Sequence, residues 1–537
     1  MNRSRLSLGL DLSTQSISAV VLDTDSMTKV FEHSLDYFTD NRLNKYGIRR
    51  QDYILPPTSE GEASQPPVMF FAAIDAILSD IAEAIDPVEI AVINSSGQQH
   101  GHVYLNAEVY SVFSKLTGEG VADSELANLL KGSLAWDRAP TWMTANTAEQ
   151  ADFIRKHAGG KERVIVLSGS NMPLRFTGAV IRAVAQRHPD IYYQTSRIHL
   201  ISSLIPAVLT GNSAVPADFG NACGTSLMDY IRKQWADTLI KATADGLPGG
   251  EKALRDKLPK ITAPDATAGR IARYFVGKYG FSPACIVLNG SGDNPQSKVP
   301  VAGDLLSLGT SFVNMVTTDG NTYDMDGYAN AMYDGLGRPF MFGCRTNGAM
   351  VWDRLRAMYG MAKEEYDRAE QALRQAPIAS SMVFWQPVNE SFPLSRSYNI
   401  YRAENNEPDF NSDYAGLVET SLAAVYYHSK GFTRTTTEPL YVTGGATGST
   451  EIMRRVAAIW NRPIIPVGKG GAATGAAIAG IRTIFRSAGE IPQVYQSVGE
   501  KILRREKPVQ PRPDDVQAFH SPGGYLERFA IEEAKLL

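Results

Sequence analysis

Cysteine is nearly absent. The three residues in 537, Cys223, Cys285 and Cys344, are odd in number and far apart, so neither a disulfide framework nor a CxxC metal site can be read from them. Such a chain fits a reducing compartment, and the cytoplasm is the expected location. Long apolar runs are missing too, since nothing approaches the roughly 18 consecutive apolar residues of a membrane span. Met1–Arg5 leads into a strand pattern and not into the apolar core of a leader, so a mature start and a soluble protein are expected. One-sided charge is also lacking. With 53 Lys+Arg against 57 Asp+Glu, the net charge of −4 offers no basic field for a polyanion, which argues against nucleic acid as a principal partner. Length points the other way: 537 residues exceed the roughly 100–200 that one domain usually holds, so two large lobes are expected.

What the chain does contain is an echo. Leu6–Ser16 (LSLGLDLSTQS) returns 300 positions later as Leu306–Ser311 (LSLGTS), an apolar run that breaks at glycine into hydroxyl residues. Glycine lets backbone N–H groups approach an anion and Ser/Thr hydroxyls add donors, so each copy can cradle a phosphate. Asp11 occurs in the first copy only. A carboxylate among phosphate donors would repel the phosphates unless Mg²⁺ lay between them, which gives Asp11 a metal-organising role. Taken singly, either copy reads first as a plain hairpin with a small-residue turn.

The rest alternates strand and helix signals. Asn41–Pro67, with Pro56-Pro57 and Pro66-Pro67, reads as a surface excursion, and Phe71, Ile74, Ile77, Leu78 and Ile81 predict a helix over 68–85. Three short apolar runs, Ile90–Asn94, Cys285–Leu288 and Leu440–Thr443, end in polar or glycine-rich tips: Ser95–Gly101, Asn289–Pro295 and Gly444–Ala446. Open α/β sheets place ligands beyond the carboxyl ends of strands. Pro259 and Pro264 mark a boundary, dividing the chain into 1–262, 263–506 and a tail of 507–537 that runs extended into a helix at Tyr525–Leu537.

Asp11 with Ser13–Ser16, the turn Ser96–Gly101, Gly292-Asp293-Asn294, Ser307–Ser311 and Thr443–Ala446 occur in the order that resembles the FGGY family of carbohydrate kinases. Five ordered motifs are far more specific than any one of them. The resemblance spans nearly the whole chain and implies an α/β, two-lobed actin/hexokinase-like fold, duplicated and ribonuclease H-like, that closes on ATP and sugar in an interlobe cleft. It implies ATP-dependent phosphorylation of a ketopentose, D-xylulose before ribulose, by an N-terminal lobe that handles sugar and phosphate and a C-terminal lobe that handles nucleotide. ATP and Mg²⁺ are the expected cofactors, and sugar and ATP the expected partners. Dimers occur in such a family, so a homodimer stays open.

Phosphoryl transfer needs phosphate donors, a metal and a group that orients the attacking hydroxyl. Asp293, on a glycine-flanked strand tip, is expected to accept the proton of the terminal sugar hydroxyl, with Asn294 contacting a second hydroxyl. An aspartate satisfying its own Asx-turn is the plainer alternative. Gln99 and His100 offer the mixed donors and acceptors a polyol requires, whereas His102 is expected to be structural, since a His100–His102 metal pair lacks a third ligand. Arg175 is implied as a sugar contact by the resemblance alone; by itself it reads as a surface arginine at a helix start. Ser13, Thr14 and Gln15 in the first copy and Gly309, Thr310 and Ser311 in the second should hold phosphates, with Gly444 and Gly445 lying flat against the nucleoside.

Two departures from the family pattern stand out. Cys223 replaces a serine before glycine in Asp218–Thr225, which leaves that loop as packing near the sugar, and Gly448 stands near a common asparagine. The small-residue stretch from Gly468 through Lys469 to Ala477 predicts a helix packed closely behind the nucleotide site, and spacing suggests Tyr366 beside the base. Rival readings are a nucleotide-switched, non-catalytic sugar-binding protein of the same fold and a pseudokinase; Asp293 and the Gln98–His100 turn argue for catalysis.

Overall fold

A computed structural model describes residues 6–362, 364–403, 407–468, 470–485 and 491–537, so Met1–Arg5 and Lys469 lie outside the described residues. The chain forms two compact units. The first takes residues 1–300, 331–339 and 470–502, and the second takes 301–330, 340–469 and 503–537. This partition by packing is not the linear division at 262/263, because residues 263–300 and a late return of the chain complete the first unit.

In the first unit, β1 (Leu6–Leu12), β2 (Ser16–Asp23) and β3 (Thr28–Asp36) form an antiparallel meander. On the other side of β1, β4 (Ile90–Gly97) runs parallel to it, and beyond that come β5 (Thr267–Arg270) and β6 (Ile286–Leu288), in the order β5–β6–β4–β1–β2–β3. Every residue of β1 is buried. The reason is covered faces: α1 (Pro67–Ala84) buries Phe71, Ile74, Ile77, Leu78 and Ile81, the expected stripe, in the core that also holds Leu6, Leu8 and Leu10. Pro67 at the first helical position starts that helix where its missing N–H costs nothing.

The small-residue helix forms at Gly471–Phe485, close-packed as expected, and it packs in the first unit. A Cβ on Gly9 of β1 would sit 2.0 Å from the Ala473 carbonyl oxygen, so only glycine lets strand and helix approach this closely. Ser7 Oγ donates to the Ala477 carbonyl at 2.6 Å and Asn94 Nδ2 to the Ala476 carbonyl at 3.0 Å, tying both central strands to the same helix. Helices α2 (Thr177–Arg187), α3 (Ile201–Thr210) and α4 (Asp293–Lys298) complete the surroundings of the strand ends.

The second unit repeats the strand plan. Here β7 (Leu305–Leu308), β8 (Phe312–Thr317) and β9 (Pro339–Arg345) make the meander, and β10 (Leu440–Thr443) and β11 (Ile464–Pro466) add parallel to β7, in the order β9–β8–β7–β10–β11. The second echo motif therefore occupies the same place in its sheet as the first. Helices α5 (Ala349–Met358), α6 (Tyr366–Gln375), α7 (Phe410–Ser429) and α8 (Thr450–Trp460) supply the core. The tail is less extended than expected: helices form at Pro513–His520 and Tyr525–Glu533, and they bury Phe519, Tyr525 and Phe529 in this core.

Candidate active site

β1 ends at Leu12, and the chain turns through Ser13–Gln15 into β2, with the Ser13 N–H donating to the Ser16 carbonyl at 2.9 Å. Asp11 is buried; its Oδ2 accepts from Ser13 Oγ, and its Oδ1 has no hydrogen-bond partner among the described residues. Burial pushes the Asp11 carboxyl above the usual carboxylate range, against the opposing hydroxyls of Ser13 and Ser96. A buried carboxylate with an orphaned oxygen suits a hard cation, which would take that oxygen as ligand. The turn is clamped from below. Gln65 Nε2 donates to the Thr14 carbonyl at 2.6 Å and Gln98 Nε2 to Gln65 Oε1 at 2.7 Å, while Trp142 Nε1 donates to Thr14 Oγ1 at 2.8 Å. Gln15 is exposed.

The polar tip of β4 forms the next wall. Gln99 is 3% exposed, and neither of its amide atoms has a hydrogen-bond partner among the described residues. His100 adopts a left-handed φ of 68°, unusual for a side-chain-bearing residue. Its ring stacks on Phe176 at 4.1 Å, and Nδ1 lies 2.7 Å from the Gly224 carbonyl. A carbonyl only accepts, so Nδ1 carries the proton and Nε2 is left as an acceptor. Burial, helped by the Arg175 charge, drops the His100 pKa to about 3, so the ring is neutral at working pH. His102 is structural as expected: it is buried, with Nδ1 3.0 Å from the His100 carbonyl and Nε2 2.9 Å from the Tyr104 hydroxyl. Arg175 is half-buried just before α2.

Asp293 opens α4, directly after Ser291–Gly292, which pair in parallel with Ser96–Gly97 of β4. Its Oδ1 takes three hydrogen bonds: Gln99 N–H at 3.2 Å, Asn294 N–H at 2.8 Å and Asn294 Nδ2 at 3.1 Å. No bond to Oδ2 is found among the described residues. Burial, reinforced by the Asp11 charge, pushes the Asp293 carboxyl up to about 7. One oxygen is thus fixed and the other left open, on a group poised near neutrality, which suits a general base. The structure brings Asp11, Ser13, Thr14, Gln15, Gln99, His100, Arg175, Asp293 and Asn294 into one unit.

The second unit holds a cavity of about 730 Å³ at its own hairpin turn. Gly309 and Thr310 line it from the turn after β7, and Gly445 and Gly448 from the turn after β10. Gly444 has a φ of 106°, and a Cβ there would lie 2.4 Å from the Leu308 carbonyl oxygen, so this turn is closed to any other residue. Nothing stands within 4 Å of where a Gly445 or Gly448 side chain would be, which leaves an open floor. Gly444 and Ser311 sit just outside the wall, with Ser311 Oγ aimed at the Thr346 carbonyl at 3.4 Å. Tyr366 is on the wall, 62% exposed, with the Arg356 guanidinium 4.7 Å from its ring centre.

Sequence reasoning missed several of these wall residues. Trp352, Arg356, Glu370 and Ser449 come from α5, α6 and the start of α8. Their only signal was helical amphipathicity, which marks a buried face without saying that a cavity shares it. Glu370 accepts from Ser449 Oγ and from the Glu451 N–H at 3.1 Å, pinning α6 to the start of α8. The role of Gly224 was also missed: a backbone carbonyl sets the His100 tautomer, and no side chain advertises that. Among the described residues no group of three or more His, Cys, Asp or Glu side chains converges, so a cation here would have to share oxygens of Asp11 and of the bound phosphates.

Residues 134–299 match the model of the N-terminal domain of the FGGY family of carbohydrate kinases. The chain is 34% identical to xylulose kinase 2 of Arabidopsis thaliana over 312 residues, which is 57% of this chain and only about half (53%) of that relative. It is 29% identical to xylulose kinase of Saccharomyces cerevisiae over 78% of this chain and 69% of that one. A crystal structure of xylulose kinase from Rhodospirillum rubrum superposes with a TM-score of 0.80 at 15% identity, covering 99% of both chains, and this likeness establishes the fold as the two-domain actin/hexokinase-like one. No helix among the described residues is long and apolar enough to cross a membrane. The match to the N-terminal domain of the FGGY family of carbohydrate kinases thus spans residues 134–299 and includes Asp293, within a chain whose two units repeat one strand plan.

Proposed function

We propose that the protein transfers the terminal phosphoryl group of ATP to the terminal hydroxyl of a ketopentose, D-xylulose in the first instance. The single observation that carries this reading is the arrangement at Asp293: Oδ1 anchored by three N–H donors, Oδ2 open, and the carboxyl held near neutrality. Oδ2 accepts the proton of the attacking hydroxyl as its oxygen approaches phosphorus. His100 Nε2, as acceptor, and the unpartnered amide of Gln99 bind sugar hydroxyls, with Arg175 and Asn294 as donors beside them. A polyol supplies what these buried groups lack, because each unpaired amide atom otherwise loses its hydration uncompensated.

The first unit handles the acceptor and the second the nucleotide, in this reading. The 730 Å³ cavity of the second unit is of nucleoside size, with Tyr366 beside the base and the glycine floor against the ribose. In the first unit Ser13, Thr14 and Gln15 offer phosphate donors, and in the second Gly309, Thr310 and Ser311 do. The orphaned oxygen of Asp11 fits Mg²⁺, which when bound neutralises phosphate charge. The choice of D-xylulose over other ketoses is supported by the names of the plant and yeast relatives. The cytoplasm is supported by three cysteines that are all free thiols.

A panel of pentuloses and hexuloses with ATP, read by ADP release, tests the proposal. Turnover greatest with D-xylulose is expected. Preference for ribulose would move the assignment within the class, and sugar binding without ADP release would make the chain a pseudokinase.

A further inference from the structure

The loop Asp218–Thr225 touches the short strand Ser291–Gly292 that leads into the proposed base, Asp293. Asp218 is fully buried on a two-residue strand, Ala217–Asp218, that pairs in parallel with Ile261–Thr262. Its Oδ2 takes the Asn221 N–H at 2.9 Å and Ser291 Oγ at 2.5 Å. Ser291 lies two residues before Asp293, on the short strand that sets the start of α4. Asn221, equally buried, donates from Nδ2 to Ser202 Oγ at 2.6 Å, which ties the loop to α3.

The fit at this contact leaves no slack. A Cβ on Gly220 would lie 2.5 Å from Ser291 Oγ, 2.7 Å from Asp218 Oδ2 and 2.9 Å from the Tyr333 carbonyl oxygen. A buried carboxylate that joins the Asn221 N–H of its own loop to the Ser291 hydroxyl, through a gap only glycine permits, is a costly arrangement for mere filling. The contact lies where the backbone entering Asp293 must be held, and misplacing a reacting group by about 1 Å can cost on the order of 100-fold in rate.

We propose that Asp218 is a positioning residue: its hydrogen bond to Ser291 fixes the strand tip and so the angle at which Asp293 Oδ2 meets the acceptor hydroxyl. The inference rests on the sugar-kinase reading. Asp218 touches neither sugar nor nucleotide in it and acts on Asp293 through Ser291, while its bond from the Asn221 N–H holds its own loop.

The test is a double-mutant cycle on the full chain with Asp218→Ala, Ser291→Ala and the pair, measuring kcat and KM for D-xylulose and ATP together with thermal melting. Each single change should lower kcat by about 10- to 100-fold with both KM values nearly unchanged, and the double variant should be no slower than the worse single, because the Asp218–Ser291 contact is lost in all three and only Asp218→Ala also loses the Asn221 cap. A Ser291→Ala variant that melts like wild type and keeps its kcat overturns the proposal. So do losses that appear in KM with kcat retained, or losses that multiply in the double variant. Should Asp218→Ala fail to fold, Ser291→Ala, which removes only a hydroxyl, decides by itself. A wild type that phosphorylates no sugar sinks the kinase reading and this inference with it, whereas a working wild type beside an unimpaired Ser291→Ala sinks the inference alone.

Discussion

The two hairpin turns sit at the same place in the same strand plan, after β1 and after β7, yet they are chemically unlike. The first is packed: Asp11 is buried behind it, and Thr14 is held by Gln65 and Trp142. The second is open: Thr310 is exposed, and the turn borders a cavity of about 730 Å³. On the proposed reading one frame serves two jobs: the braced turn with a buried carboxylate organises charge, and the turn whose side chains are withdrawn to glycine admits a large flat ligand. The difference follows from a few substitutions at equivalent sites, Asp11 being the clearest, and not from a change of topology.

Breaking the first unit's chemistry, at the proposed base beside the first turn, should have the largest effect. Asp293→Ala is expected to lower kcat by about 10²- to 10⁴-fold while ADP still binds, measured by coupled turnover and by calorimetry. The same base sets the pH profile. Because burial and the Asp11 charge raise its pKa to about 7, and because only the ionised form accepts a proton, kcat/KM for sugar should fall as pH drops through about 7 and level off above it. A flat profile from pH 6 to 8 would remove Asp293 from that role. Asp11→Asn comes next, with about a 10²-fold loss in kcat that added Mg²⁺ does not restore; full activity at ordinary Mg²⁺ would break the contrast between the two turns.

Effects at the second turn should be smaller and confined to nucleotide. Gly444→Ala forces a side chain into a left-handed φ against the Leu308 carbonyl, so a strain of about 1–3 kcal/mol, or roughly tenfold or more in KM for ATP, is expected with the sugar KM unmoved. Tyr366→Ala, which removes a stacking face of about 0.5–1.5 kcal/mol, should raise the KM for ATP only several-fold. An equal rise in the sugar KM for either variant would show that the turns do not divide the work as proposed.

Much of this was legible in one dimension because the relevant signals are local. The helix over Pro67–Ala84 announced itself by five apolar residues at helical spacing, and the strands before Asp11, Gln98 and Gly444 by short apolar runs ending in polar tips. Asp293 could be singled out because glycine precedes it and a strand delivers it. Gly471–Phe485 was legible as a close-packed helix but not as a neighbour of Gly9, since the partners lie more than 460 residues apart and any sheet would welcome small residues. The tail likewise showed its proline-rich start and not the core that Phe519 and Phe529 enter.

Sequence alone determined the duplicated strand-and-turn motif and pointed to the candidate residues and to the family resemblance, because motif order and strand periodicity are properties of the chain itself. Only the tertiary structure decided how those residues are tuned. That Oδ1 of Asp293 is fixed while Oδ2 is open, that His100 is neutral with Nε2 as acceptor, and that Asp218 grips Ser291 all depend on groups distant in sequence. Hydrogen-bond geometry and desolvation arise from neighbours in space, and spacing along a chain does not encode them.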